Sequence, residues 1–327
     1  MFGFFDSSAD FPKETRGIGL VKEGERYHLK PVMKPLRPLK KNEVLVRMRA
    51  ASINPSDLLY LRSEYGISSS DGVIPGLEGS GEIIAAGKGF TPKLFANRRV
   101  ACTPRAGEDG TWADYCITSV QNCVPLLPSL SFEEGASLIV NPLSAWLLFA
   151  QVKDLAPTSI LLTASSGALG GMLVKLGKSL GYTMVCVVHR EELINEVKAN
   201  GAAEVIVSSL PGFETNLREV CHRYDTRVVL DGAAGRTAEI VVKALPKGST
   251  VLMYGSLDGN RVTLSASDFI FSGITVRGFW LYNFARTASK FNMAKTFFAV
   301  QRKVKRELAT PVIATYPLEN IDQAIAY

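Results

Sequence analysis

The residues with the clearest chemical meaning form a short glycine-containing turn between a strand-like run and an amphipathic helix pattern. Residues 159–181 read SILLTASSGALGGMLVKLGKSLG. Gly167 and Gly170 have the spacing of the second and third glycines of a GxGxxG fingerprint, and Ser165 holds the place of the first. A glycine at the second place lets the backbone approach a pyrophosphate, and the free amides of a helix start bind phosphate oxygens. The spacing therefore predicts a dinucleotide-binding turn.

A second position indicates which dinucleotide this turn would bind. The next strand-like run ends at Val188, and His189 and Arg190 follow it. At this point of a dinucleotide-binding domain an acidic side chain binds the ribose 2′-hydroxyl of NAD, whereas a cation suits the 2′-phosphate of NADP. Arg190 therefore favours NADPH, although Glu191 and Glu192 beside it could reverse that preference.

Histidine and cysteine are too sparse to suggest a metal. The chain has three histidines, His28, His189 and His222, which lie far apart, and five cysteines with no CxxC pair. Zinc sites need clusters of these ligands, so no metal site is expected. An odd number of unclustered cysteines fits a reducing compartment, which predicts a cytoplasmic protein whose thiols are small core residues.

The elements that must position these residues fall into two groups. Up to about residue 130, short β-like runs alternate with turn residues, for example at residues 43–49 and 99–102. From residue 131 onward short apolar runs alternate with helical patterns, which predicts an α/β domain with a doubly wound parallel sheet. We place the cofactor domain at residues 131–273 and the mostly β domain at 1–130 with 274–327, including a strand at 311–314.

The bulk composition excludes several other classes of protein. The 327 residues are 46% apolar and carry a formal charge of +6. The longest apolar stretch, residues 136–152, is interrupted by Asn141, Pro142 and Ser144, so no membrane span is expected. The densest basic cluster, residues 302–306, has no interleaved aromatic residue, which argues against nucleic-acid binding.

Taken together, these segments resemble the zinc-free medium-chain dehydrogenases/reductases. Within that group the chain is similar to mitochondrial-type 2-enoyl thioester reductases, with ζ-crystallin-like quinone reductases second. The resemblance covers nearly the whole chain and rests on INPSD (53–57), PGLEGSG (75–81), GTWADY (110–115), VNPLSAW (140–146), the ASSGALGG turn, MYGS (253–256) and RGFWL (277–281). It implies a Rossmann domain joined to a GroES-like catalytic domain, with Asn54 and Leu77 where zinc-dependent relatives carry metal ligands.

The resemblance also implies roles for individual residues. Tyr65 matches the tyrosine held to be the proton donor, and its alternative role is contact with the nicotinamide. Asn54 and Trp280 would belong to the substrate and nicotinamide pocket, Trp280 equally well to the core. The remaining cofactor contacts would be Asn141, Ser165, Ser166, Gly167, Ala168, Leu169, Gly170, His189, Arg190, Tyr254, Gly255, Ser256, Leu257, Phe279 and Leu281.

Two departures qualify this match. The first arginine of the family's 2′-phosphate segment is His189 here, so phosphate binding would rest on Arg190 and a partly protonated His189. The segment SEYGISSSDG, residues 63–72, is polar and rich in serine where substrate would enter, so a long acyl chain is not assured.

The leading hypothesis is an NADPH-dependent reductase that adds hydride to the activated C=C bond of a 2-enoyl thioester without zinc. The alternative is an NADPH:quinone oxidoreductase on the same fold. A third hypothesis, of a different class, is a non-catalytic nucleotide- or RNA-binding member. We also expect a homodimer, because the run at residues 274–281 lies where relatives pair their cofactor domains edge to edge.

Overall fold

The computed structural model describes residues 11–24, 26–67, 70–287 and 290–326. For residues 26 and 285–292 it describes the backbone only. The chain forms two compact units. Unit 1 comprises Met1–Val140 and Pro311–Tyr327, and unit 2 comprises Asn141–Thr310.

Unit 1 is built mainly from two antiparallel sheets. Strands β1 (Glu14–Glu23) and β2 (Arg26–Pro35) form a ribbon, and a five-stranded sheet has the order β6-β3-β4-β5-β7. Its strands are β3 (Glu43–Ala51), β4 (Gly79–Ala86), β5 (Arg99–Cys102), β6 (Tyr115–Ser119) and β7 (Cys123–Pro125). The helices are α1 (Pro55–Leu61), α2 (Phe90–Phe95), α3 (Phe132–Ala136) and, at the end of the chain, α12 (Ile321–Ala326).

Strand β3 begins with a buried acid that is paired with two arginines. Glu43 is buried, and its carboxylate accepts hydrogen bonds from Arg37 Nη1 at 2.6 Å and from Arg105 Nη1 at 2.8 Å. The backbone amide of Lys40 donates to the same carboxylate at 2.7 Å. Two partly exposed cations thus compensate one buried acid.

Unit 2 contains a six-stranded parallel sheet with the order β10-β9-β8-β11-β12-β13. The strands are β8 (Ser159–Leu162), β9 (Thr183–Val188), β10 (Glu204–Val207), β11 (Val228–Asp231), β12 (Thr250–Met253) and β13 (Thr275–Gly278). The helices are α4 (Val140–Lys153), α5 (Ala168–Ser179), α6 (Ile194–Asn200), α7 (Phe213–Arg223), α8 (Gly235–Ala244), α9 (Ala266–Ile270), α10 (Leu281–Thr287) and α11 (Lys290–Gln301).

This strand order is that of the Rossmann fold, in which the chain reverses direction next to the first strand. The central strands β8 and β11 are buried along their whole length, as expected for strands covered by helices on both faces. The predicted doubly wound α/β fold with a second, mostly β unit is confirmed.

The end of the chain differs from its prediction in two ways. β13 hydrogen-bonds to β12 in parallel register and therefore belongs to the Rossmann sheet, so unit 2 extends to Thr310 instead of 273. Residues 311–314 are not a strand, and Val312 and Ile313 are exposed. The first boundary lies after Val140 instead of residue 130.

The structure also bears on the predicted role of the cysteines and on the expected absence of a membrane span. All five cysteines are buried and unpaired, which confirms that they act as small core residues. Across the described ranges, no helix combines the length and the apolar composition needed to cross a bilayer.

Candidate active site

The predicted cofactor residues of unit 2 lie at one edge of the Rossmann sheet. The glycine turn follows β8, His189 and Arg190 follow β9, residues 254–257 follow β12, and residues 279–281 follow β13. Parallel strands end at the same edge, and ligands of open α/β sheets bind there. The fold thus brings together segments that are up to about a hundred residues apart in sequence.

The two glycines of the turn are required for different reasons. A Cβ atom on Gly170, in the first turn of α5, would lie only 2.7 Å from the carbonyl carbon of Ser165, so a side chain there cannot fit without moving backbone. A Cβ atom on Gly167 would meet only the carbonyl oxygen of Ala164, at 3.7 Å. The protein itself therefore leaves space at Gly167, as a turn that receives a pyrophosphate requires.

The other residues of this turn differ in their exposure to solvent. The Ser165 hydroxyl is buried and donates to the carbonyl oxygen of Val187 at 2.8 Å, so this side chain joins β8 to β9 and faces away from solvent. Gly167 and Ala168 are exposed, and Ser166 and Leu169 are half-buried. The first amides of α5 have no acceptor within their own helix, as at any helix start, and are available to an anion.

At the end of β9 a histidine and an arginine lie side by side on the surface. His189 and Arg190 are exposed, as are Glu191 and Glu192. His189 Nδ1 lies 3.3 Å from the Ser208 hydroxyl, and the Ser208 amide donates to the Val188 carbonyl at 2.8 Å. Ser208, which follows β10, was missed by the sequence analysis because nothing in its own segment marks it as a ligand.

Tyr254 differs from its neighbours in the segment after β12. Its hydroxyl is buried against the backbone of Gly232 and has no hydrogen-bond partner among the described residues. Burial, with the nearby carboxylate of Asp231, raises the pKa of this phenol. Gly255 also packs against Gly232, whereas Leu257 is exposed. Any cofactor contact of Tyr254 must therefore use its ring or backbone.

The residues after β13 are partly internal. Phe279 is buried, and its amide donates to the Met253 carbonyl at 2.8 Å. The Trp280 ring lies 5.0 Å from that of Tyr282, and Leu281 begins α10 half-buried. Asn141, in the first turn of α4, is also buried.

In unit 1 the two predicted residues lie at opposite ends of α1. Asn54 precedes the helix and is buried. Tyr65 follows it and packs, half-buried, against an apolar cluster that contains Leu20, Tyr60 and Val73. The structure thus places both residues on one short segment.

Asn54 is surrounded by buried polar groups that the sequence analysis did not single out. Its Nδ2 donates to Glu78 Oε1 and to Ser52 Oγ, both at 2.9 Å. Its backbone amide donates to Asp57 Oδ2 at 2.8 Å, and the Leu77 amide donates to Asp57 Oδ1 at 2.8 Å. The signal was present in the sequence, since PSD and GLEGSG each place an acid among apolar and small residues.

Both acids of this group are fully buried. Burial raises the pKa of Asp57 to about 7, although the two backbone amides favour its charged form. Burial also raises the pKa of Glu78, against the hydrogen bonds from Val140, Asn54, Ile139 and Ser52. Within the described ranges, no three His, Cys, Asp or Glu side chains are grouped so that they could hold a metal ion.

Comparison with known families identifies this architecture. Residues 40–129 match the model of the alcohol dehydrogenase GroES-like domain, and residues 168–297 match that of the zinc-binding dehydrogenase. The chain thus matches, in two successive segments, both domains from which the medium-chain dehydrogenases/reductases are built. This confirms the family resemblance stated above.

Several solved structures and sequences are similar to this chain. A protein from Mesorhizobium loti assigned as an NADPH:quinone reductase is 29% identical, has a TM-score of 0.90, and is matched over 98% of this chain and 97% of that one. The complex of Etr1p with NADP and crotonyl-CoA, at 21% identity over 96% of each chain and a TM-score of 0.78, shares the fold. Human mitochondrial enoyl-[acyl-carrier-protein] reductase is 24% identical over 89% of this chain and 79% of its own length.

Proposed function

We propose that this chain is an NADPH-dependent reductase that transfers hydride to the activated C=C bond of a 2-enoyl thioester without zinc. The observation that carries this proposal is the open glycine turn at the carboxyl edge of a Rossmann sheet, where Arg190 is exposed at the end of the next strand. The similarity to enoyl-[acyl-carrier-protein] reductases supports the substrate class.

For the cofactor, the space at Gly167 and the amides at the start of α5 suit a pyrophosphate. Arg190 would bind the 2′-phosphate of NADPH, and His189, oriented by Ser208, would add a second donor. Backbone and side-chain atoms of the residues named after β12 and β13, with Asn141, would hold the ribose and nicotinamide. Bound NADPH supplies the hydride.

For the chemistry, hydride addition at the β-carbon of an enoyl thioester builds negative charge on the α-carbon and the thioester oxygen. A group must then deliver a proton or a hydrogen bond. The Tyr65 phenol would donate that proton, since a phenol stays protonated at neutral pH. Its alternative role remains contact with the nicotinamide.

The quinone reductase activity stays a second candidate. The solved structures from Mesorhizobium loti and Bacillus thuringiensis, at 29% and 26% identity, are assigned that activity. Both activities would use the same cofactor residues, so the electron acceptor alone separates them. The non-catalytic hypothesis predicts that no acceptor is turned over.

The test is NADPH and NADH oxidation followed at 340 nm with crotonyl-CoA, a longer trans-2-enoyl-CoA and a soluble quinone as acceptors. We expect turnover of the thioesters with NADPH preferred. If only the quinone reacts, the second candidate replaces the first, and if nothing reacts both reductase assignments fail.

Tyr65→Phe should lower turnover of the thioester about ten- to a thousandfold, the range for loss of an acid or a hydrogen-bond donor, while NADPH affinity stays the same. Tyr27→Phe, on the exposed part of β2, is the matched control and should keep wild-type turnover. Equal turnover of Tyr65→Phe and wild type would remove Tyr65 from proton donation.

We further propose that the chain forms a homodimer through β13. This strand is one of the two outer strands of the six-stranded sheet, and a sheet edge is a template for a second copy. A stable monomer at micromolar concentration in light scattering would exclude this.

We propose a cytoplasmic location on the basis of the unclustered cysteines. The curated relatives are named as mitochondrial, so cell fractionation is the experiment that decides between the two locations.

A further inference from the structure

Glu78 is a buried carboxylate whose hydrogen-bond donors come from two distant parts of the chain. It begins the segment that leads into β4 and is fully buried. Its two oxygens each accept two hydrogen bonds, and all four donors are neutral groups from two separate places in the chain. We propose that Glu78 is a positioning residue that ties the start of α1 to the start of α4. This inference rests on the proposed function.

The first pair of bonds fixes the start of α1. Glu78 Oε1 accepts from Asn54 Nδ2 at 2.9 Å and from the Ser52 hydroxyl at 3.0 Å. Asn54 Nδ2 also donates to Ser52 Oγ at 2.9 Å, which closes a ring of three hydrogen bonds. Because both hydrogens of the Asn54 amide are used in this ring, its orientation is fixed by chemistry. Glu78 thereby holds the residue that begins the helix leading to Tyr65.

The second pair fixes the start of α4. Glu78 Oε2 accepts from the backbone amides of Ile139 and Val140, each at 2.9 Å. These amides lie at the beginning of a 14-residue helix, where a negative charge is favourable. Asn141, the proposed nicotinamide contact, is the next residue of the chain. One carboxylate therefore sets the backbone on which Asn141 stands.

Stability alone is a weak reason to keep such a group. Removing a carboxylate from water is costly, and an apolar residue at this position would avoid that cost. Glu43, a buried acid of the same unit, is compensated by two arginines, whereas Asp57 shares with Glu78 the lack of a described cationic partner. Glu78 has only neutral donors as described partners. A precise link between two segments of the proposed site explains why an acid occupies this position.

The decisive variant is Glu78→Gln, which keeps the shape but replaces one acceptor by a donor. The new NH₂ group must face either the two amides of α4 or the Asn54 and Ser52 donors. Misplacement of reacting groups by about 1 Å can lower rates on the order of a hundredfold. We expect kcat to fall about ten- to a hundredfold, with KM for the thioester changing less than threefold.

A binding measurement provides a readout that does not require turnover. Glu78→Gln should weaken NADPH about threefold or more, because the nicotinamide end depends on Asn141, and leave 2′,5′-ADP affinity unchanged. Glu82→Gln, four residues further along β4 in a surface ion pair with Arg49, is the matched control and should change neither affinity.

A reciprocal exchange tests the hydrogen-bond link itself. In the double variant Glu78→Gln with Asn54→Asp, the glutamine introduced at position 78 can donate to the new acid and to Ser52 while its oxygen accepts from Ile139 and Val140. We expect kcat and NADPH affinity to recover at least tenfold and twofold, respectively, over Glu78→Gln alone.

The outcomes separate this inference from the proposed function. Wild-type kcat and NADPH affinity in Glu78→Gln would overturn it, as would an equal loss of 2′,5′-ADP and NADPH binding without recovery in the exchange. If wild type reduces no enoyl thioester but Glu78→Gln still weakens NADPH selectively, the inference stands and the proposed substrate class fails.

Discussion

The candidate residues of unit 1 and those of unit 2 are organised by different physical means. Around Asn54 in unit 1, the buried acids Asp57 and Glu78 collect hydrogen bonds from neutral donors. In the turn of unit 2, the decisive property of Gly167 and Gly170 is the absence of a side chain.

Because of this difference, we expect the two groups of residues to respond to different kinds of change. Unit 1 should respond to pH and to exchange of donors for acceptors, because its contacts depend on protonation and hydrogen-bond polarity. The turn of unit 2 should respond to added volume, because its contacts are made by backbone. Arg190 is the exception, since its proposed role depends on charge.

The largest effect is expected from Asp57. Its pKa of about 7 in the folded protein lies above the ordinary value of 3.8, so the folded state binds the proton more tightly. This contribution to stability is complete below about pH 4 and is lost as pH rises to about 7, at most about 4 kcal/mol. Asp57→Asn should flatten the pH dependence of the unfolding free energy over that window, measured by urea denaturation.

The pKa of Glu43 is shifted in the opposite direction from that of Asp57. Burial opposes its charge, but hydrogen bonds from Arg37 and Lys40 and the arginine charges hold its pKa below the ordinary value. Its contribution is present above about pH 4.5 and is lost as pH falls further. Glu43→Gln should therefore change the pH dependence of the unfolding free energy only below about pH 4.5. Identical pH profiles for the Asp57 and Glu43 variants would contradict the comparison.

The glycine pair should separate stability from cofactor binding. Gly170→Ala places a methyl group against the backbone of Ser165 and should destabilise the protein by about 1–3 kcal/mol. Gly167→Ala has room and an ordinary φ of −72°, so stability should change by less than about 0.5 kcal/mol. Its NADPH affinity should fall at least about tenfold, because the methyl group occupies the space of the pyrophosphate. Thermal unfolding and fluorescence titration measure the two effects.

The smallest effect is expected from Arg190. Arg190→Ala should weaken NADPH about tenfold, as for loss of one charge-assisted hydrogen bond at an exposed site, and leave NADH unchanged. Arg218→Ala, in a surface ion pair on α7, serves as the control for net charge. Equal losses for both cofactors would place the 2′-phosphate elsewhere.

The sequence predicted the Rossmann unit well because its signals are local. Strands β8 and β11 each contain a run of three apolar residues, and the glycine turn and Arg190 follow the ends of β8 and β9 directly. Gly170 is required for the reason predicted, close packing of helix and strand. Each of these features can be predicted from neighbouring residues in the sequence alone.

The remaining features depend on pairings between distant segments. The run TVRG at β13 is only partly apolar, and its parallel register with β12 decides that it belongs to unit 2. Residues 311–314 have apolar side chains but form no strand. The contacts of Glu78 with Ile139 and Val140 join residues 61 and 62 positions apart, so composition and spacing could not reveal them.

The buried thiols have a practical consequence. All five cysteines are buried, and burial raises the pKa of Cys123, Cys186 and Cys221, which keeps little reactive thiolate at neutral pH. A single cysteine introduced at an exposed position would then react much faster with maleimides than the native ones. The unmodified chain is thus a ready background for attaching fluorophores or spin labels, with which motions between labelled positions can be followed during turnover.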